Sequence, residues 1–313
     1  MANALDLRSA RRGWRWIGFN SRSARRGWIG FGLFFPSLAL MFLFLLYPLA
    51  INIYTSFFSK HLIRPRNEFV GFDNYIYLFN VDYFGLVLQN EVIWTFFSVT
   101  LQVALGLGVA ILLNQKLRGI TIARAFIILP WVTPVVITVL MWKWILNELY
   151  GIVNHALLSL GIIETSIAFW SSPAMAMGTS IAINVWWGFP FMTVVFLAGL
   201  KSIDPELYEA CKVDGATPWQ EFIHITLPGL KHFIAVAVLV RTIWIFTFFD
   251  LIWISTKGGP SYSTMLLPHM TYLQAFQSYH LGRAAALSVI LIMCLVAYLI
   301  VFFKVYKYEE SVS

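Results

Sequence analysis

The chain alternates long apolar runs with short polar segments. The apolar runs cover about Phe31 to Phe57, Ile93 to Leu113, Ala125 to Leu146, Ala174 to Leu200, Phe233 to Ser255 and Ala284 to Phe303. A helix rising 1.5 Å per residue crosses the roughly 30 Å hydrocarbon core in about 20 residues, so each run predicts one transmembrane helix. Pro130 and Pro134 lie in the third run and Pro190 in the fourth. Prolines within spans are tolerated where neighbouring groups satisfy the freed backbone, so they predict kinks in a packed bundle.

The polar segment between runs four and five, about Lys201 to His232, encodes its own turns. Asp204 is placed to N-cap a helix with Pro205 at its first position and Glu206 in its first turn, and Gly215 to end it in the left-handed conformation. Thr217, Pro218 and Gln220 then read as a second N-cap with a capping-box partner, opening a short helix that Pro228 stops. A loop with this much local encoding is expected to dock onto something. The expected architecture is an all-α integral membrane protein of six transmembrane helices. A basic arm covers 1–30, the six-helix bundle 31–306 with its loop at 201–232, and a tail 307–313.

Composition agrees. Of 313 residues, 59% are hydrophobic and 12% charged, against about 45–50% and about 25% in soluble chains. Such a chain cannot clothe a water-facing surface, and near-average Gly and Pro exclude collagen-like or disordered classes. Cys211 and Cys294 suit neither a disulfide framework nor a metal site and read as small apolar fillers.

The 22 Lys and Arg against 15 Asp and Glu give +7. With six spans, both termini share one side. If that side is cytoplasmic, the inner segments hold Arg8, Arg11, Arg12, Arg15, Arg22, Arg25 and Arg26, then Lys116, Arg118 and Arg124, then Lys201, Lys212 and Lys231, and finally Lys304 and Lys307. The outer segments hold only Lys60, Arg64, Arg66 and Lys257. The positive-inside rule therefore predicts cytoplasmic termini, and the excess charge orients the chain, with no case for nucleic-acid binding. The arm repeats Arg8-Ser9-Ala10-Arg11-Arg12-Gly13-Trp14 as Arg22-Ser23-Ala24-Arg25-Arg26-Gly27-Trp28. It reads as a duplicated orienting flank, with an export signal or an anionic-lipid site as alternatives. The following run is long for a cleaved signal and has no clear cleavage site.

Glu209-Ala210-Cys211, then Asp214-Gly215, then Ile225, Leu227 and Pro228 resemble the EAA loop of permease subunits of binding-protein-dependent ABC importers. The spacing matches, with Cys211 replacing the second alanine. Phe249-Asp250, Thr256, Gly258-Gly259-Pro260 and Gly188-Phe189-Pro190-Phe191 resemble the carbohydrate-uptake branch that includes maltose and trehalose permeases. The resemblance implies a non-catalytic subunit of a sugar importer in the cytoplasmic membrane. Its implied partners are a second permease, two ATP-binding subunits and an extracytoplasmic solute-binding protein. ATP and Mg would be bound by the ATPase partners, and no cofactor by this chain, which lacks a G-x-x-x-x-G-K-[ST] phosphate loop. The helix from about Pro205 to Val213 would be the coupling helix. Glu209 would supply a charge for an ATPase arginine, Ala210 and Cys211 close approach, and Gly215 the turn that aims it, with Asp214, Leu227 and Pro228 completing the motif.

Arg241 falls about eight residues into run five, where insertion costs roughly 2.5 to 3.5 kcal/mol, so it should face a cavity or a partner. Trp244, Ile245 and Phe248 share its helical face. Sugars present C–H-rich faces to aromatic rings and hydroxyls to polar groups, and arginine beside tryptophan offers both. The resemblance adds Trp187, Gly188 and Phe191 of run four. A structural ion pair of Arg241 with Asp250 or a partner-chain acid is the alternative. Asp250 is expected to organise a loop, and Trp142, Trp144 and Tyr150 to form an interfacial belt. Two other classes stay open: an ion-coupled secondary transporter, which predicts inverted repeats, and a membrane enzyme, which predicts clustered carboxylates or metal ligands.

Overall fold

The computed structural model describes residues 34–64, 67–115 and 117–312, with side chains described as far as Tyr306. The basic arm, Arg66, Lys116 and the side chain of Lys307 therefore lie outside the described residues. The chain divides into two compact units at 54/55. Of the first, the described part belongs to helix α1 (Phe34–Thr55), which is long and apolar enough to span a membrane. It contains one wide π-turn, Phe42–Leu46, immediately ahead of Tyr47 and Pro48.

The second unit is nearly all helical. Its helices include α2 (Phe84–Asn114), a bent pair α3 (Ile120–Val132) and α4 (Val135–Ile145), α5 (Pro173–Ser202), α6 (Pro205–Val213), α7 (Pro218–Phe246), two short helices α8 (Asp250–Ser255) and α9 (Leu267–Tyr272), and α10 (Leu281–Val312). Among the described residues, five helices have the length and apolarity to cross a membrane, or six if the bent pair is one span. The third run does kink at a proline, and sharply. It bends by 94° at Thr133 and Pro134, because Pro134 lacks an amide donor and drives Thr133 into extended geometry. Pro190, by contrast, lies buried inside α5, which continues without a break.

Two further expectations fail at the fifth run. Pro228 does not end the loop helix, and the span does not reach Ser255 as one piece. A π-turn over Phe222–Thr226 precedes Leu227 and Pro228, with the Leu227 amide donating to the Phe222 carbonyl. The widened turn relieves the clash of the proline ring with the carbonyl one turn back, so the helix passes through. The same arrangement precedes Pro48 in α1. At the other end α7 stops at Phe246. Trp94 Nε1 donates to the Ile245 carbonyl (3.1 Å), and His269 Nε2 donates to the Phe249 carbonyl (2.9 Å), so side chains satisfy backbone groups at the break. Burial holds the His269 imidazole down to about 4, neutral at ordinary pH.

Helices α2 and α5 form the most extensive interface. A Cβ on Gly106 would stand 2.5 Å from Met192 Cβ, so glycine permits this approach. Farther along, Gly199 gives room to Leu230 and Phe233, and Gly229 to Ile203, seating α7 on the end of α5. The buried face of α2 is unusually polar for a span: Glu91, Thr95, Ser98 and Gln102 recur at four-, three- and four-residue steps, all buried. Ser180, Asn184 and Gly188 recur every four residues on α5, also buried.

Candidate functional site

The polar faces of α2 and α5 meet α7 at Arg241. Its side chain is 2% exposed. Nε donates to Gln102 Oε1 (2.6 Å), and Gln102 Nε2 in turn donates to the Asn184 carbonyl (2.9 Å). The guanidinium lies 5.6 Å from the Trp187 ring centroid and 6.0 Å from that of Trp244, within cation–π range. Gly188 is required here, since a Cβ at that position would collide with Nη2 of Arg241 and lie 2.5 Å from Gln102 Nε2. Asp250 stands exposed in the first turn of α8, and the alternative of an Arg241–Asp250 ion pair does not form.

Around this cation the structure gathers aromatic rings. Trp187 and Phe248 stack with centroids 5.5 Å apart and an interplanar angle of 13°. Phe191 packs against Trp244 (5.3 Å) and Trp131 (5.6 Å). Trp187 Nε1 donates to the Thr133 carbonyl (3.0 Å), which the bend between α3 and α4 frees. A cavity of about 270 Å³ is lined by Asn184, Trp187, Arg241, Trp244, Ile245, Thr247 and Phe248. Five of the seven pathway residues expected from sequence line it directly. Gly188 and Phe191 stand behind it, one giving room to Arg241 and the other supporting Trp244.

Gln102, Asn184, Thr247 and Trp131 were missed. For Gln102 and Asn184 the signal was present: uncharged polar side chains inside apolar runs, at steps that align them with neighbouring polar positions. Trp142 also departs from the expected belt. It packs edge-to-face on Trp186 (5.5 Å), whereas Trp144 and Tyr150 are 70% and 65% exposed.

The loop forms as its caps predict. Asp204 Oδ1 accepts from the Glu206 amide (3.0 Å), opening α6 over Pro205–Val213. Gly215 (φ +75°) closes it, its amide donating to the Lys212 carbonyl and that of Ala216 to Cys211, a paired arrangement that satisfies the last turn. Thr217 and Gln220 make the reciprocal capping box at the head of α7. Glu209, Ala210, Asp214 and Gly215 are exposed, as are Leu227 and Pro228, and Cys211 is half-buried. Tyr208 and Thr226 hydroxyls bond at 3.0 Å, tying α6 to the π-turn of α7. His224 bonds the Gln220 carbonyl (2.9 Å).

Residues 102–308 match the family model described as binding-protein-dependent transport system inner membrane component. The chain belongs to that family. This permease is 32% identical over 286 residues to the trehalose/maltose transport system permease protein MalF of Thermococcus litoralis, covering 90% of this chain and 95% of that one. It is 35% identical over 266 residues to the sulfoquinovosyl glycerol transport system permease protein SmoG of Agrobacterium fabrum, covering 84% and 86%. Its fold is that of a chain of a bacterial ABC transporter involved in import of the acidic polysaccharide alginate. That chain has a TM-score of 0.79 at 23% identity, with coverage of 94% and 99%. It is a multi-pass inner-membrane transport subunit, so the secondary-transporter and membrane-enzyme alternatives give way.

Proposed function

We propose that this permease passes a saccharide through the Arg241 cavity, alternating access under the drive of an ATPase docked on α6. The observation that carries the reading is the continuity of α7. One helix runs from the capping box at Thr217, past the Tyr208–Thr226 tie to α6, to Arg241, Trp244 and Ile245 at the cavity. A push on α6 therefore reaches the cavity wall along a single rod. The relatives named for trehalose, maltose and sulfoquinovosyl glycerol support sugar as cargo, and the ring stack of Trp187 and Phe248 beside a buried cation suits a pyranose. The complete importer would comprise a second permease, two ATPase subunits holding ATP and Mg, and an extracytoplasmic solute-binding protein, with both termini of this chain cytoplasmic. Residues 31–306 would form the permease domain, 201–232 its coupling loop, 1–30 and 307–313 the flanking arm and tail.

Glu209 is exposed on α6 and free to meet an ATPase cation. Replacing it with lysine is expected to abolish saccharide uptake or assembly in the reconstituted importer. Wild-type uptake together with unchanged binding-protein-stimulated ATP turnover would contradict the assignment.

A further inference from the structure

We propose that the cavity selects saccharides carrying an acidic group, with Arg241 as counter-ion to that group. The inference rests on the proposed pathway and deepens it.

Arg241 keeps an uncompensated positive charge. Its side-chain hydrogen-bond partner is the neutral amide of Gln102, and its Nη2 is buried without a partner. The rings of Trp187 and Trp244 attract the cation but do not neutralise it. Among the described residues no carboxylate pairs with it. Asp250 is exposed beyond the break in α7, and Glu91, eleven residues before Gln102 and so roughly 16 Å along α2, accepts from the Leu267 amide. Asn184 adds a second unfilled demand in the same cavity, since both Oδ1 and Nδ2 are buried without partners. Structures rarely leave such groups unsatisfied, and a ligand site is one place where they do.

The two side chains together describe what is missing. A carboxylate or sulfate would accept from the guanidinium as a full opposite charge, adding a Coulombic attraction in a poorly solvated site that a neutral hydroxyl lacks. The Asn184 amide can donate to a second oxygen or accept from a sugar hydroxyl. The rings supply the platform for the sugar's apolar face. At about 270 Å³ the part of the cavity that this chain forms has room for one ring unit.

The test is equilibrium binding to the assembled complex in lipid nanodiscs without the solute-binding protein, so that selectivity belongs to the membrane subunits. The probes are methyl glucuronide, glucose 6-sulfate and methyl glucoside. Both acidic sugars are expected to bind at least tenfold more tightly than the neutral one. Arg241→Gln should remove that preference and Arg241→Lys should retain part of it, whereas Trp187→Ala should weaken all three probes together. Equal affinity for acidic and neutral sugars in the unmodified complex would overturn the proposal, as would a preference that survives Arg241→Gln or no binding of any probe at millimolar concentration. If Trp187→Ala and Trp244→Ala each left all three affinities unchanged, the pathway reading itself would fall instead.

Discussion

At the scale of single residues, the site is organised by what Arg241 lacks and by what makes room for it. Gln102 provides its neutral partner and Gly188 the space, so neither position tolerates an ordinary apolar replacement. Gln102→Leu would strand a buried donor at a cost of about 1–3 kcal/mol. The purified permease should melt several degrees lower, and a melting curve identical to that of the unmodified protein would show that the bond contributes nothing. Arg241, Trp244 and Ile245 were legible from sequence because helical spacing puts them on one face, and Phe248, assigned by the same spacing, lies past the end of α7 yet still lines the cavity. That Gln102 on α2 meets Arg241 was not legible, because periodicity orders residues within an element and is silent about which elements meet. Trp142 shows the limit from the other side: a tryptophan near the end of an apolar run suits the interface chemically, yet here it packs on Trp186.

Among elements, the loop was the most legible part of the chain, since its signals act over three or four residues. Asp204, Gly215, Thr217 and Gln220 each make the bond their chemistry predicts. Thr217→Ala removes the capping box, worth about 1 kcal/mol. Hydrogen exchange in the first turn of α7 should accelerate severalfold, and unchanged protection there would mean that tertiary packing alone holds the turn. The sequence reading of Pro228 failed for a comparably local reason. A proline ends a regular α-helix, but a π-turn one residue earlier changes the register of the bonds and lets the axis continue. Nothing in the residue types of Phe222 to Thr226 announces that turn. A helix stopped at Pro228 would separate the loop from the cavity, whereas α7 joins them, as the proposed coupling requires.

For the whole molecule, the charge pattern and the fold make separate claims. Family membership and the apolar helices establish a multi-pass membrane transport subunit. The proposed orientation rests on fifteen of 22 Lys and Arg residues lying on one side. Single cysteines at Arg118 and Lys304 should react with a membrane-impermeant maleimide only in inverted vesicles, and cysteines at Lys60 and Lys257 only from the outside of intact cells. The reverse pattern would invert the topology and remove α6 from the cytoplasm. The central claim is narrower: the sugar moves past the stacked rings at the far end of α7. The measurement that tests it most directly is ATP-dependent uptake of labelled saccharide by vesicles holding the complete importer, with Trp244→Ala set against the unmodified chain. A fall of tenfold or more is expected with Trp244→Ala, whereas uptake at the unmodified rate and with unmodified sugar selectivity would contradict the account.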